Sequence, residues 1–135
     1  MQAAMSTILV IDDDEMALNA FRYLLHGEGY DVLETAEGPQ GVELYREREP
    51  DLVLLDLGLP SMNGLDVLRE IRQIDETAAV ILVTGYVTDQ VEGEALQLGA
   101  TAVLEKGPAL DNLAKTIEEA IELRRGRQNG IAPRS

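Results

Sequence analysis

Three short apolar runs in this chain each end on charged residues: Ile8-Leu9-Val10-Ile11 runs into Asp12-Asp13, Leu52-Val53-Leu54-Leu55 into Asp56, and Ala102-Val103-Leu104 into Glu105-Lys106. Continuous apolar runs of this length are what parallel strands look like when both faces of a sheet are covered. In open α/β sheets, ligands gather outside the carboxyl ends of the strands. The pattern thus constrains the fold and points to one edge of it for the chemistry.

Between the apolar runs lie longer amphipathic stretches, so the chain reads as five βα units. The periodicity predicts strands over 7–12, 30–35, 52–56, 79–84 and 102–105, and helices over 15–26, 39–48, 64–74, 88–98 and 109–125. Apolar residues recur at helical spacing in each helix, as with Leu68, Ile71 and Ile74 in the third or Leu110, Leu113, Ile117, Ala120 and Ile121 in the fifth. These stripes are core. Gly99 is the predicted C′ residue of the fourth helix, and Gly93 inside that helix costs about 1 kcal/mol relative to alanine, which makes it the least stable of the five. After Arg125 the periodicity stops, and the glycine-rich sequence that follows reads as a flexible tail or a truncated linker.

Composition narrows the chemistry. A chain of 135 residues with 45% apolar content supports one compact domain. There is no cysteine and a single histidine, His26, so thiolate and multi-histidine metal sites are excluded and any metal must be held by oxygen. The formal charge of −14 disfavours direct contact with a nucleic-acid backbone. No apolar stretch is long enough to span a bilayer and no secretory leader is apparent, so a cytoplasmic protein without a membrane partner is expected.

If the first and third strands are neighbours, Asp12, Asp13 and Asp56 meet at their carboxyl ends. Carboxylates held that close repel one another unless a cation or proton lies between them. Magnesium suits such a site, because it takes oxygen ligands and is often shared between one or two carboxylates and a phosphate oxygen. Thr84 and Lys106, at two further strand ends, supply the hydroxyl and the cation that phosphate oxygens need. In this arrangement a carboxylate can act as nucleophile and form an aspartyl phosphate. Asp56 is the best nucleophile, because it stands alone at its strand end before a loop shaped by Gly58 and Pro60. Asp12 and Asp13 are then the metal holders. Each residue taken singly has a plainer reading: a solvated turn with an N-cap for Asp12 to Glu15, a turn former for Asp56, an ordinary strand threonine and a surface lysine. Their conjunction favours the site.

The chain resembles the receiver domain of bacterial two-component response regulators over about residues 5–123, leaving 124–135 as the tail. The resemblance rests on Ile8-Leu9-Val10-Ile11-Asp12-Asp13-Asp14-Glu15, on Pro50 through Pro60 with Gly64, on Thr84-Gly85, and on Gly99-Ala100 with Lys106. It implies a flavodoxin-like (βα)5 fold with strand order 2-1-3-4-5. It implies Asp56 as phosphoacceptor, magnesium held by Asp13, Asp56 and the Gly58 carbonyl with Asp12 acting partly through water, and phosphoryl contacts from Thr84 and Lys106. Such a domain takes its phosphoryl group from a sensor histidine kinase or phosphotransfer protein, loses it by hydrolysis, and signals to a downstream output domain or protein through its α4-β5-α5 face. It is not otherwise an enzyme.

Three positions depart from the family pattern. The usual aromatic residue three before the lysine is Val103, Gly107 separates Lys106 from Pro108, and the fourth helix carries Asp89, Glu92 and Glu94 without a basic residue. The first implies that some group other than an aromatic ring reports the movement of Thr84, and the second bears on the placement of Lys106. The third removes the charge-paired dimer of regulators with winged-helix outputs. The competing expectation is a receiver-like interaction module that takes no phosphoryl group. A phosphatase with an aspartate nucleophile lacks its second acid, since Gly58 holds that position. A flavin or nucleotide binder lacks a glycine-rich phosphate loop after the first strand.

Overall fold

The computed structural model describes residues 6–107 and 111–129. Its elements run β1 (Thr7–Ile11), α1 (Glu15–Gly27), β2 (Asp31–Thr35), α2 (Gly38–Arg48), β3 (Leu52–Leu55), α3 (Gly64–Ile74), β4 (Val80–Thr84), α4 (Asp89–Gln97), β5 (Ala102–Glu105) and α5 (Leu113–Gln128). The strands form one parallel sheet in the order β2-β1-β3-β4-β5, as expected.

Alternation along the strands sorts the apolar residues into two cores. Leu9, Ile11, Val53, Leu55, Val80 and Leu82 pack with residues of α2, α3 and α4. Ile8, Val10, Leu52, Leu54, Ile81 and Val83 pack with α1 and α5 on the opposite face. Covering both faces explains why β3 and β4 contain no exposed residue. Three helices start on side-chain caps: Asp14, Asn63 and Thr88 accept from the backbone N–H groups of Met16, Leu65 and Val91 respectively. Gly99 has φ +101° beyond α4, and the Arg72 guanidinium stands where a Cβ on it would fall.

Two strands stop one residue short of their predicted ends, at Ile11 and Leu55, yet the next residue is still tied to the sheet. Asp12 N–H donates to the Thr35 carbonyl (3.1 Å) and Asp56 N–H to that of Ile11 (2.9 Å). Ile74, read as part of the α3 stripe, lies at the helix end and is 36% exposed. The predicted start of the last helix at 109 and its stripe residue Leu110 lie outside the described residues, as do Met5 and 130–135. The other end of α5 is a correction. The helix passes through Gly126 to Gln128, so the first part of the predicted tail is helical. Packing rather than periodicity holds it: Arg124 is buried and its guanidinium reaches Asp75 at 2.9 Å and Asp51 at 3.8 Å, while Arg125 donates to Ser6 Oγ at 3.1 Å.

Candidate phosphoacceptor site

The register places Ile11 beside Leu55 and Leu55 beside Leu82, so the residues that follow these strands emerge on one edge. Asp12, Asp13 and Asp56 meet there, each offering a carboxylate oxygen within 4.8 Å of the others. Asp12 and Asp56 are buried and Asp13 is exposed.

Asp12 Oδ1 accepts from the Asp14 N–H at 2.9 Å, which also shapes the turn into α1. Lys106 Nζ lies 2.9 Å from Asp12 Oδ2 and 3.7 Å from Asp56 Oδ2. Among the described residues the Lys106 ammonium is the one group that meets the buried Oδ2. Burial pushes the Asp12 carboxyl above its ordinary value and the Asp56 charge adds to this, against the Asp14 N–H and Lys106. For Lys106 burial acts downward, but pairing with Asp12 and the charges of Asp56 and Asp14 outweigh it and hold the ammonium above its usual range.

Thr84 ends β4 and is buried; its carbonyl accepts the Lys106 N–H at 2.8 Å. Thr84, Lys106 and Asp56 line a cleft of about 500 Å³ together with Gly58, Asn63 and Tyr86. Asp56 is common to this cleft and the acidic cluster. Gly58 borders the carboxylate, since a Cβ on it would lie 3.8 Å from Asp56 Oδ2. A larger concavity of about 730 Å³ runs along Asn19, Tyr23 and His26 of α1, but it contains neither the acidic cluster nor the strand-end lysine. The strand-end lysine, Thr84 and Asp56 line the smaller cleft.

Every site residue read from the sequence is therefore on this edge. Gly107 does not displace Lys106, and its φ of +109° is a conformation that suits glycine. Sequence reasoning passed over Asn63, although a cap residue directly before a glycine and an amphipathic run is a recognisable helix start. Gly64 gains a physical reason: a Cβ there would fall 2.6 Å from the Asp56 carbonyl oxygen and 2.7 Å from Leu57 Cα. Only glycine lets the start of α3 lie against the backbone that carries Asp56.

A family model described as the response regulator receiver domain matches residues 8–118. The chain belongs to that family. Over 114 residues it is 39% identical to the transcriptional regulatory protein ZraR of Escherichia coli O157:H7, in an alignment that covers 84% of this chain and 26% of ZraR. It thus spans about a quarter of that regulator. The chemotaxis protein CheY of Bacillus subtilis is 33% identical over 115 residues, covering 84% of this chain and 96% of CheY. Among solved structures, the receiver domain of the sensor histidine kinase PA1611 from Pseudomonas aeruginosa PAO1 has a magnesium ion coordinated in its active-site cleft. It superposes with a TM-score of 0.80 at 26% identity, covering 88% of this chain and 99% of that one. The receiver is a signalling module rather than an enzyme in the ordinary sense, with a flavodoxin-like fold. Among the described residues, no helix is long and apolar enough to cross a membrane.

Proposed function

We propose that this receiver accepts a phosphoryl group on Asp56 from a phosphohistidine of a sensor kinase or phosphotransfer protein, in a magnesium-dependent reaction, and passes the signal to an output domain or protein in the cytoplasm. The supporting observation is the convergence of Asp56, Thr84 and Lys106 on one cleft whose floor joins the Asp12–Asp13–Asp56 cluster. The donor set fits magnesium: it is all oxygen, and among the described residues the three clustered carboxylates face one ammonium, that of Lys106. Asp12, Asp13, Asp56 and the Gly58 carbonyl would hold the ion. When bound, it would offset charge on the transferring phosphoryl oxygens.

An Asp56 carboxylate oxygen attacks phosphorus, the O–P bond forms as the P–N bond to the donor imidazole breaks, and the imidazole leaves with the bonding pair. Lys106 moves its charge from the carboxylates toward a phosphoryl oxygen, and the Thr84 hydroxyl donates to another. Hydrolysis reverses the state: water attacks phosphorus and releases inorganic phosphate and the free carboxylate. We place the end of the folded unit after α5 rather than at Leu123, with any linker following it.

Intact mass after incubation with magnesium and acetyl phosphate tests this reading. One phosphoryl adduct is expected on the wild type, with none in Asp56→Asn or without the metal. An adduct retained in Asp56→Asn would remove Asp56 from its role. A wild type inert to both acetyl phosphate and a phosphorylated kinase would leave the silent interaction module in its place.

A further inference from the structure

Glu105 is absorbed by none of the roles above, yet it lies in the middle of them. It pairs with Thr84 across the β4–β5 ladder and directly precedes Lys106. Alternation puts it on the same face of β5 as Val103, which packs into the α4-side core. Among the described residues its carboxylate pairs with no cation. Glu105 Oε1 instead accepts the backbone N–H of Val87 at 3.0 Å, spanning from the edge strand to the loop between β4 and α4. Among the described residues this is the one hydrogen bond that holds segment 85–87 to the rest of the molecule. Beyond it, Thr88 caps α4 through Val91.

We propose that Glu105 is the positioning residue of the switch: it latches the β4–α4 loop in the resting state through Val87 and releases it when Asp56 is phosphorylated. The inference rests on the phosphoacceptor reading above and adds to it the link between site and loop. A phosphoryl group on Asp56 draws the Thr84 hydroxyl and the Lys106 ammonium toward itself. These two residues flank the latch, one at the root of the loop and the other bonded to Glu105. In the release proposed, Thr84 moves inward together with the Gly85–Val87 backbone that follows it, and that motion lengthens the Glu105–Val87 bond. With valine at position 103 there is no aromatic ring to follow the threonine, so the carboxylate two residues further along the same face carries the report. Because coupling is reciprocal, removing the latch favours the switched loop and eases phosphorylation.

The test compares wild type, Glu105→Ala and Glu105→Gln by amide NMR of residues 85–88, with intact mass on the same samples. In the unphosphorylated state the Ala variant is expected to shift these amides toward their positions in phosphorylated wild type, and to exchange the Val87 amide about two- to tenfold faster, the span of one ordinary hydrogen bond. The Gln variant keeps an oxygen acceptor and stays near wild type, which separates the acceptor from the charge. In wild type, phosphorylation itself releases the Val87 amide. Resting amides in Glu105→Ala that coincide with wild type, or a Val87 amide equally protected before and after phosphorylation, would overturn the latch while leaving the adduct on Asp56 intact. An absent adduct, read by mass alone, overturns the phosphoacceptor reading and the release step with it.

Discussion

At the residue scale, the site depends on positions where the backbone itself must fit. Gly64 is the sharpest case, because the atoms a Cβ would meet are the Asp56 carbonyl oxygen and Leu57 Cα, neither of which can swing aside like a side chain. Gly64→Ala is therefore expected to cost about 1–3 kcal/mol of stability, typical of overpacking, and to slow phosphorylation by displacing the β3–α3 loop. Urea denaturation and the rate of adduct formation check the two effects; an alanine variant equal to wild type in both would show that the close approach is not needed. Residues of this kind differ in how visible they are in sequence. Asp12, Asp56 and Lys106 were legible because each follows an apolar strand run, and strand ends in a parallel sheet converge. Glu105 follows the same run as Lys106 but its role was not legible, since its target is a backbone N–H 18 residues away and backbone groups carry no sequence signal.

At the element scale, α4 is the weak member among the helices. It has nine residues and buries only Ala95, against four or five buried residues in α2, α3 and α5. Gly93 adds backbone entropy to that deficit, and a Cβ there would meet nothing within 4 Å and would need no positive φ. Gly93→Ala should thus stabilise the protein by about 0.5–1 kcal/mol and make α4 less ready to move after phosphorylation. Urea unfolding gives the first and amide exchange across 89–97 the second; a loss of stability would mean that the glycine serves a contact that appears only in the switched state. The helix pattern itself was readable, down to the glycine that ends α4. The far end of α5 was not, because Gly126 and a cluster of arginines look like a tail. Only the folded sheet brings Asp51 and Asp75 under Arg124 and extends the helix.

At the scale of the whole molecule, the edge opposite Asp56 is held by a polar cluster around Asp75. One carboxylate oxygen accepts from Tyr45 Oη at 2.8 Å and Arg124 at 2.9 Å, the other from the Thr77 N–H and hydroxyl. Asp51 extends the cluster to β1 by accepting the Thr7 N–H at 2.8 Å. Helices α2, α3 and α5 and the starts of β1 and β3 are thereby tied together by hydrogen bonds that span 44 and 49 residues of sequence, which no local pattern could reveal. Burial acts to raise the Asp75 carboxyl, but the hydrogen bonds from Thr77, Tyr45 and Arg124 outweigh it and hold the group well below its ordinary value of 3.8. The same burial and the bond to Asp75 hold the Tyr45 phenol well above its own. A carboxylate depressed by folding contributes stability that is complete above the unfolded value and is lost as pH falls below it. Asp75→Asn removes the charge that Arg124 needs and is expected to cost about 1.5–3 kcal/mol at pH 7, the range for hydrogen bonds to charged groups. The variant has no proton to take up at this position. Its deficit relative to wild type should therefore narrow as the pH is lowered from 5 toward 2, while other carboxylates titrate alike in both proteins. Urea unfolding of the pair at pH 7, 5 and 3 measures that difference directly, and a gap that stays constant down to pH 3 would mean that the charge on Asp75 does not hold this edge together.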